Sequence, residues 1–145
     1  MTNQEYAKLV KEKSPNSKLG KNLCKAFVIG GLICCVGQLI GDGCAMLQLD
    51  TETGKTVTSV VMVFLGTLLT GLGVYDKLAK HAGAGTLVPI TGFANSVAAP
   101  AIDFKSEGLI TGLGAKMFII AGPVLVYGTA ASVVYGVIYL LLGGG

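Results

Sequence analysis

The sequence predicts an all-α membrane protein with about four membrane segments. The chain of 145 residues is 52% hydrophobic and only 13% charged, and its mean hydropathy is +0.69. Soluble domains carry about 25% charged residues, and a fold this short exposes much of its surface. The shortage of charge therefore indicates a chain that lies in lipid, where helices satisfy their own backbone hydrogen bonds.

Residues 1–25 form a basic head that precedes a membrane domain, residues 26–145. Thr2 and Glu5 have capping-box spacing, so we expect a short amphipathic helix that ends at Ser14-Pro15. The head holds six lysines and two glutamates. Because Lys-rich flanks stay on the cytosolic side of a membrane, we place the N-terminus there. A specific site for lipid headgroups is the alternative role of the head.

Three apolar runs are long enough to cross a bilayer, which takes about 20 residues. We predict spans near residues 26–47, 57–75 and 117–142. A short loop at 48–56 separates the first two spans. The loop at 76–81 is rich in Lys and returns the chain to the N-terminal side. The first two spans are therefore expected to form a hairpin.

Residues 82–102 are the unusual segment of the membrane domain. They carry no charge and are long enough to cross at about 1.5 Å per residue, yet they hold two prolines and several polar side chains. Broken helices survive in a membrane only where protein or a water-filled cavity covers the freed backbone groups. We expect a broken segment, either a kinked crossing or a re-entrant pair of half-helices, and favour the crossing. The backbone breaks are Pro89 and Pro100, and the polar residues include Thr91, Asn95 and Ser96.

Small residues spaced four apart indicate two faces on which helices can approach closely. Gly37 and Gly41 form a GxxxG pattern in the first predicted span, and Gly128, Ser132 and Gly136 form a similar face in the last. We predict that both faces are helix-packing surfaces.

Composition and motifs argue against several function classes. All eleven basic residues are lysines, whereas nucleic-acid binding favours arginine, so no nucleic-acid partner is expected. No GxSxG or HExxH motif occurs. The four cysteines lack CxxC spacing, and the one histidine, His81, is far from them. We therefore predict no catalytic residue, no cofactor and no metal site.

Polar residues at membrane depth suggest a path for a solute. Such groups are costly in lipid and usually face a cavity or a partner, and broken helices offer amide dipoles to anions and carbonyl groups to cations. An anionic solute carried with a cation would suit this mixed lining. The alternative is a solvated loop at 103–107 with polar residues that only cap helices. The candidate lining residues are Gln38, Thr91, Asn95, Ser96, Asp103, Lys105 and Glu107.

Several runs of the sequence resemble a known family. Residues 23–39 read LCKAFVIGGLICCVGQL, residues 82–108 read AGAGTLVPITGFANSVAAPAIDFKSEG, and residues 112–124 read GLGAKMFIIAGPV. These runs resemble the SpoVAC/SpoVAEb family of stage V sporulation membrane proteins over nearly the whole chain beyond the head. The Lys-rich head favours the SpoVAC branch. Asp103 stands where we expect Glu in many relatives, which keeps the charge.

The resemblance implies a multi-pass protein of the spore and forespore inner membrane, with its N-terminus on the core side. It implies a subunit of the SpoVA machinery, which moves dipicolinic acid as its calcium chelate during sporulation and germination, with mechanosensitive-channel behaviour. The implied partners are membrane lipid, a SpoVAEb-like membrane subunit and a SpoVAD-like soluble subunit. Because about four helices do not easily enclose a path for this dianion, we expect an oligomer. A non-conducting scaffold that assembles SpoVA proteins is the alternative.

Overall fold

The structure is a computed structural model that describes residues 2–14 and 18–143. Its regular elements are all helices over these two ranges, which confirms the predicted fold class. Three stretches are long and apolar enough to cross a membrane: Leu19–Met46, Thr51–Gly71 and Leu109–Leu141. The α-helices are α1 (Asn3–Lys13), α2 (Leu19–Met46), α3 (Thr51–Gly71), α4 (Val74–Ala82), α5 (Pro89–Asp103) and α6 (Ala115–Leu141).

Helix α1 begins at a capping box. The Thr2 hydroxyl accepts a hydrogen bond from the Glu5 N–H at 3.3 Å, and the Thr2 N–H donates to the Glu5 carboxylate at 2.8 Å. The Ser14 N–H then donates to the carbonyl of Val10 and ends the helix. Pro15, which was expected to take part in this ending, lies outside the described residues.

Helices α2 and α3 form an antiparallel hairpin. Along it, Gly37 lies against Met62 and Gly41 lies against Thr58, with 3.7 Å from a Cβ built at each glycine to the facing side chain. Small residues therefore allow the close approach of the two helices. We call the end where α2 begins and α3 ends the near end. The opposite end, with the connection at 47–50, is the far end.

The helix boundaries differ from the predicted spans. Helix α2 begins at Leu19 instead of residue 26, and α3 begins at Thr51, inside the predicted loop at 48–56. Asp50 explains the early start of α3, because its carboxylate accepts a hydrogen bond from the Thr53 N–H at 3.0 Å and caps the helix. The side chain of Thr53, followed by its backbone N–H, lowers the pKa of Asp50 below its ordinary value of 3.8.

The predicted loop at 76–81 is instead part of helix α4. Gly73 has a φ of 67°, which favours glycine and lets the chain turn sharply after α3. Two residues of α4, Tyr75 and Ala82, are buried, whereas Asp76 and Lys80 of the same helix are exposed and form a 2.9 Å ion pair. The segment is thus a short amphipathic helix at the near end of the hairpin.

Residues 82–102 are broken, as predicted, but at one place, Leu87 and Val88, directly before Pro89. A 3-10 turn, Gly83–Thr86, comes before the break, and α5 comes after it. Pro89 stands in the first turn of α5, where its missing N–H has no helical partner to lose. The second predicted break, at Pro100, is wrong: Pro100 lies inside α5, which continues to Asp103.

Helix α5 enters the bundle only halfway. Thr91 shares a cavity wall with Ile33, near the middle of α2, whereas Asp103 shares a groove with Gly73 and Asp76 at the near end. With 15 residues α5 is about 22 Å long, short of the about 30 Å of a hydrocarbon core. The segment begins and ends at the near end of the hairpin, a path that fits the re-entrant alternative better than the favoured crossing.

A π-helical stretch, Leu109–Gly114, leads into α6. Gly112 permits this stretch, because a Cβ there would lie 2.7 Å from the carbonyl oxygen of Phe104. Helix α6 packs along α5 and buries Ala121 completely. Every residue from 123 to 143 is exposed. At 27 residues and about 1.5 Å each, α6 extends beyond the start of α5 toward the far end.

Candidate functional site

A buried polar contact holds the re-entrant segment, which we define as residues 83–103. The hydroxyl of Tyr75 donates to the carbonyl oxygen of Thr86 at 2.8 Å and lies 3.4 Å from Oγ1 of Thr91. Tyr75 is 3% exposed, and both threonines are 5% exposed. Buried polar groups need a partner, so this contact ties α4 to both sides of the break at Leu87 and Val88.

Removing the Tyr75 hydroxyl is expected to destabilise the protein. Tyr75→Phe keeps the ring but leaves the buried Thr86 carbonyl without this donor, which should lower the free energy of unfolding by about 1–3 kcal/mol. The measurement is reversible unfolding in mixed micelles, monitored by the helical signal in circular dichroism. Tyr127→Phe is the matched control, because that ring is exposed on α6. Equal stability of the Tyr75→Phe variant and the parent would contradict the role.

Glycine allows the backbone of the re-entrant segment to touch the hairpin. A Cβ at Gly85 would lie 2.5 Å from the carbonyl oxygen of Ala26, and a Cβ at Gly66 would lie 3.2 Å from the Cα of Thr91. The segment is therefore seated by direct backbone contact with α2 and α3. Sequence analysis did not identify Tyr75, Gly66 or Gly85 as site residues.

A polar groove of about 510 Å³ lies between α5, α4 and the near end of α3. Asn95 and Asp103 line it from α5, together with Thr70 and Asp76. The hydroxyl of Thr70 lies 2.9 Å from Oδ1 of Asn95 and 2.7 Å from the carbonyl oxygen of Gly66, and its one proton is shared between these two acceptors. The groove combines two carboxylates with an amide and a hydroxyl.

An apolar groove of about 590 Å³ lies on the other side of α5, between α3, α5 and α6. Phe93, Ala98 and Ile102 line it from α5, Val63 lines it from α3, and Met117 lines it from α6. Helix α5 therefore separates two grooves of opposite character.

The structure brings only two of the predicted lining residues, Asn95 and Asp103, into one groove. Thr91 is buried in the contact between α3, α4 and α5. Ser96 is half-buried and donates to the carbonyl of Phe93 in its own helix at 2.8 Å.

The remaining candidate lining residues lie apart from the polar groove. Lys105 and Glu107 are exposed in a short 3-10 turn after α5. Gln38 lies on α2, where its amide donates to the carboxylate of Asp42 at 2.7 Å. Gln38 also lines a separate cavity of about 520 Å³ near the far end, together with Lys55.

The two small-residue faces have different surroundings. Gly37 and Gly41 contact α3 within the chain. On α6, the hydroxyl of Ser132 donates to the carbonyl of Gly128, and no neighbouring element of the described chain comes within 4 Å of a Cβ built at Gly128 or Gly136. The α6 face is therefore open to a contact outside the chain.

Within residues 2–14 and 18–143, no group of three or more His, Cys, Asp or Glu side chains could hold a metal ion. Cys24, Cys34 and Cys35 are exposed thiols, and Cys44 is a buried one.

Comparison with known proteins gives one family and one relative. The family described as "SpoVAC/SpoVAEB sporulation membrane protein" matches residues 22–138. The chain is 41% identical over 141 residues to stage V sporulation protein AC of Bacillus subtilis (strain 168), covering 95% of this chain and 94% of that protein. No solved structure matches. By both criteria, the chain belongs to the SpoVAC/SpoVAEB family of sporulation membrane proteins.

Proposed function

We propose that the chain is a subunit of a spore inner-membrane channel or transport complex. The complex moves dipicolinic acid, as its calcium chelate, into the forespore during sporulation and out during germination. Family membership supports the sporulation setting. The observation that carries a transport role is the half-length helix α5, which is held inside the bundle with a polar groove along one side.

A half-helix beginning at membrane depth suits an anionic solute. The N-terminus of α5 lies near the level of Ile33, in the middle of α2, and no side chain caps it. Half-helix N-termini carry partial positive charge and face the anionic groups of solutes in several transporters. We assign this end to the carboxylates of the solute.

The polar groove suits the cation of the chelate. Its oxygen groups come from Asp76, Asn95 and Asp103, and carboxylate and amide oxygens are the ligands that Ca²⁺ prefers. In this proposal Asn95 and Asp103 line the path near its mouth. Thr91 instead positions α5, because it is buried against Gly66 and Tyr75.

Other subunits complete the path. The polar groove is open on one side, so one copy does not enclose the solute. We assign the exposed α6 face with Gly128, Ser132 and Gly136 to contact with a second copy or a SpoVAEb-like subunit. The N-terminus of the chain lies on the core side of the membrane. A SpoVAD-like soluble subunit docks at the near end of the hairpin. Membrane tension opens the complex.

Flux of calcium dipicolinate through proteoliposomes tests the lining assignment. Asn95→Leu removes the amide from the polar groove and is expected to lower flux about tenfold, the effect of losing one hydrogen bond to a charged group. Ser96→Ala is the matched control, since Ser96 bonds within its own helix. Asn95→Leu also removes the hydrogen bond between Thr70 and Asn95. Thr70→Val removes that bond but keeps the amide, so it separates the loss of the bond from the loss of the amide. Unchanged flux in a normally inserted Asn95→Leu variant would refute the lining role.

A non-conducting scaffold is the second candidate function. It is favoured by the exposed apolar pair that follows the turn at 105–107, where Leu109 is 76% exposed and Ile110 is 82% exposed. Such a pair can dock another protein or the lipid interface. Purified chain in a planar bilayer distinguishes the two functions: gated current under tension supports the channel, and silence with and without partner subunits supports the scaffold.

A further inference from the structure

The apolar groove has the length of one lipid leaflet. Along α5 it extends from Phe93 to Ile102, which is about 13.5 Å at 1.5 Å per residue. Half of a hydrocarbon core is about 15 Å. A spanning helix from a partner needs about 30 Å, twice this length. The dimensions therefore fit a single acyl chain from the leaflet at the near end.

The lining of the apolar groove is also that of a chain-binding site. The floor of the groove is formed by small side chains, those of Ala94, Ala98 and Ala101. Its rims are exposed apolar side chains: Val63 is 45% exposed and Ile102 is 50% exposed. No ionisable side chain lines the groove. The groove volume of about 590 Å³ accommodates one acyl chain. In a membrane, hydrocarbon is the solvent that surrounds this surface.

A cation lies next to one of the residues that line the near end of the apolar groove. Lys116 comes directly before Met117, which lines the groove, and its Nζ lies 4.7 Å from the centre of the Phe104 ring. Lys116 is half-buried, and no carboxylate within the described ranges forms an ion pair with it. Asp103 faces the polar groove on the other side of α5. Glu107 lies against Gly112, one turn before Lys116, and forms no ion pair with this lysine. Lys116 therefore suits an anionic headgroup.

We propose that the apolar groove binds one acyl chain of an anionic phospholipid, with the headgroup phosphate beside Lys116. The bound chain fills the space between α5 and α6 and supports the half-helix from the side opposite the polar groove. The site needs only that the chain lies in a membrane, so it stands independently of the transported solute.

Tryptophan fluorescence tests this lipid site, because the chain has no Trp. Phe93→Trp places one reporter in the groove, and Phe64→Trp places one on the exposed surface of α3, where Phe64 is 62% exposed. Each variant is reconstituted in phosphatidylcholine with increasing dibrominated phosphatidylglycerol. Quenching at Phe93→Trp is expected to exceed the bulk mole fraction, with about fivefold preference for the anionic lipid. Quenching at Phe64→Trp should follow the mole fraction.

Further changes separate the lipid site from its alternatives. In the Phe93→Trp background, Lys116→Gln should reduce the preference to about one, whereas Lys116→Arg should retain it, since either cation attracts phosphate. Ala98→Phe fills the groove and should lower quenching, with helical circular dichroism to verify folding. Equal preference at positions 93 and 64 would overturn the proposal. Absence of quenching at 93 in pure brominated lipid would also overturn it, because another protein helix would then cover the groove.

Discussion

Gly85→Ala is expected to separate the 3-10 turn from α2 and to lower the free energy of unfolding by about 3 kcal/mol, the upper part of the range for overpacking. The added Cβ would lie 2.5 Å from the carbonyl oxygen of Ala26 and 2.8 Å from its Cα. These are backbone atoms of a helix, so they cannot rotate away as a side chain would. The two elements must move apart, and the re-entrant segment loses its contact with the hairpin.

Reversible unfolding in mixed micelles measures the effect of Gly85→Ala. Gly31→Ala is the matched control, because Gly31 lies on the same helix as Ala26 and nothing comes within 4 Å of a Cβ built there. In a helix interior, alanine is also more favourable than glycine by about 1 kcal/mol, so this control should be at least as stable as the parent. If Gly85→Ala unfolds like Gly31→Ala, the backbone contact does not hold the segment.

Cysteines placed before and after the last helix are expected to react from opposite sides of the membrane. The background replaces the native cysteines at 24, 34, 35 and 44. Lys105→Cys should then react with an impermeant maleimide from the same side as Ser14→Cys, and Leu142→Cys only from the other side. The contrast should be close to all or none, because a bilayer crossing separates the two ends of α6.

The reason is the number of crossings. Helices α2, α3 and α6 are long enough to cross, and the re-entrant segment returns to the near end where it began. Three crossings place the two termini on opposite sides. A crossing at 82–102 would instead place position 105 opposite Ser14 and position 142 on the same side. Labelling in that second pattern would contradict the re-entrant path.

Membrane residence, the hairpin and the broken segment were predictable from sequence because each depends on residues close together in the chain. Apolar run length alone predicts a crossing helix, and Pro89 marks the start of α5, where proline is tolerated. Pro100 and Pro123 show the limit of this rule, because both lie inside helices that continue past them. Two local features were missed. The Asp50 cap extends α3 into a polar run, and the nine residues of α4 are too few for a clear amphipathic period.

The candidate site was only partly predictable. Polar side chains in the broken segment and directly after it identified Asn95 and Asp103, which do share a groove. Tyr75 and Gly85 were not identified, because their roles depend on partners elsewhere in the fold. Tyr75 matters through the carbonyl of Thr86, and Gly85 matters through the backbone of Ala26, which the chain reaches only after the hairpin is formed.

The sequence by itself determined that this protein lies in a membrane, that its first two spans pair, and that its third apolar segment is interrupted. These properties follow from composition, run length and proline. Only the tertiary structure decided that the interrupted segment turns back halfway and divides a polar groove from an apolar one. The physical reason is that this path depends on contacts between distant backbones, at Gly66 and Gly85, which no local pattern encodes.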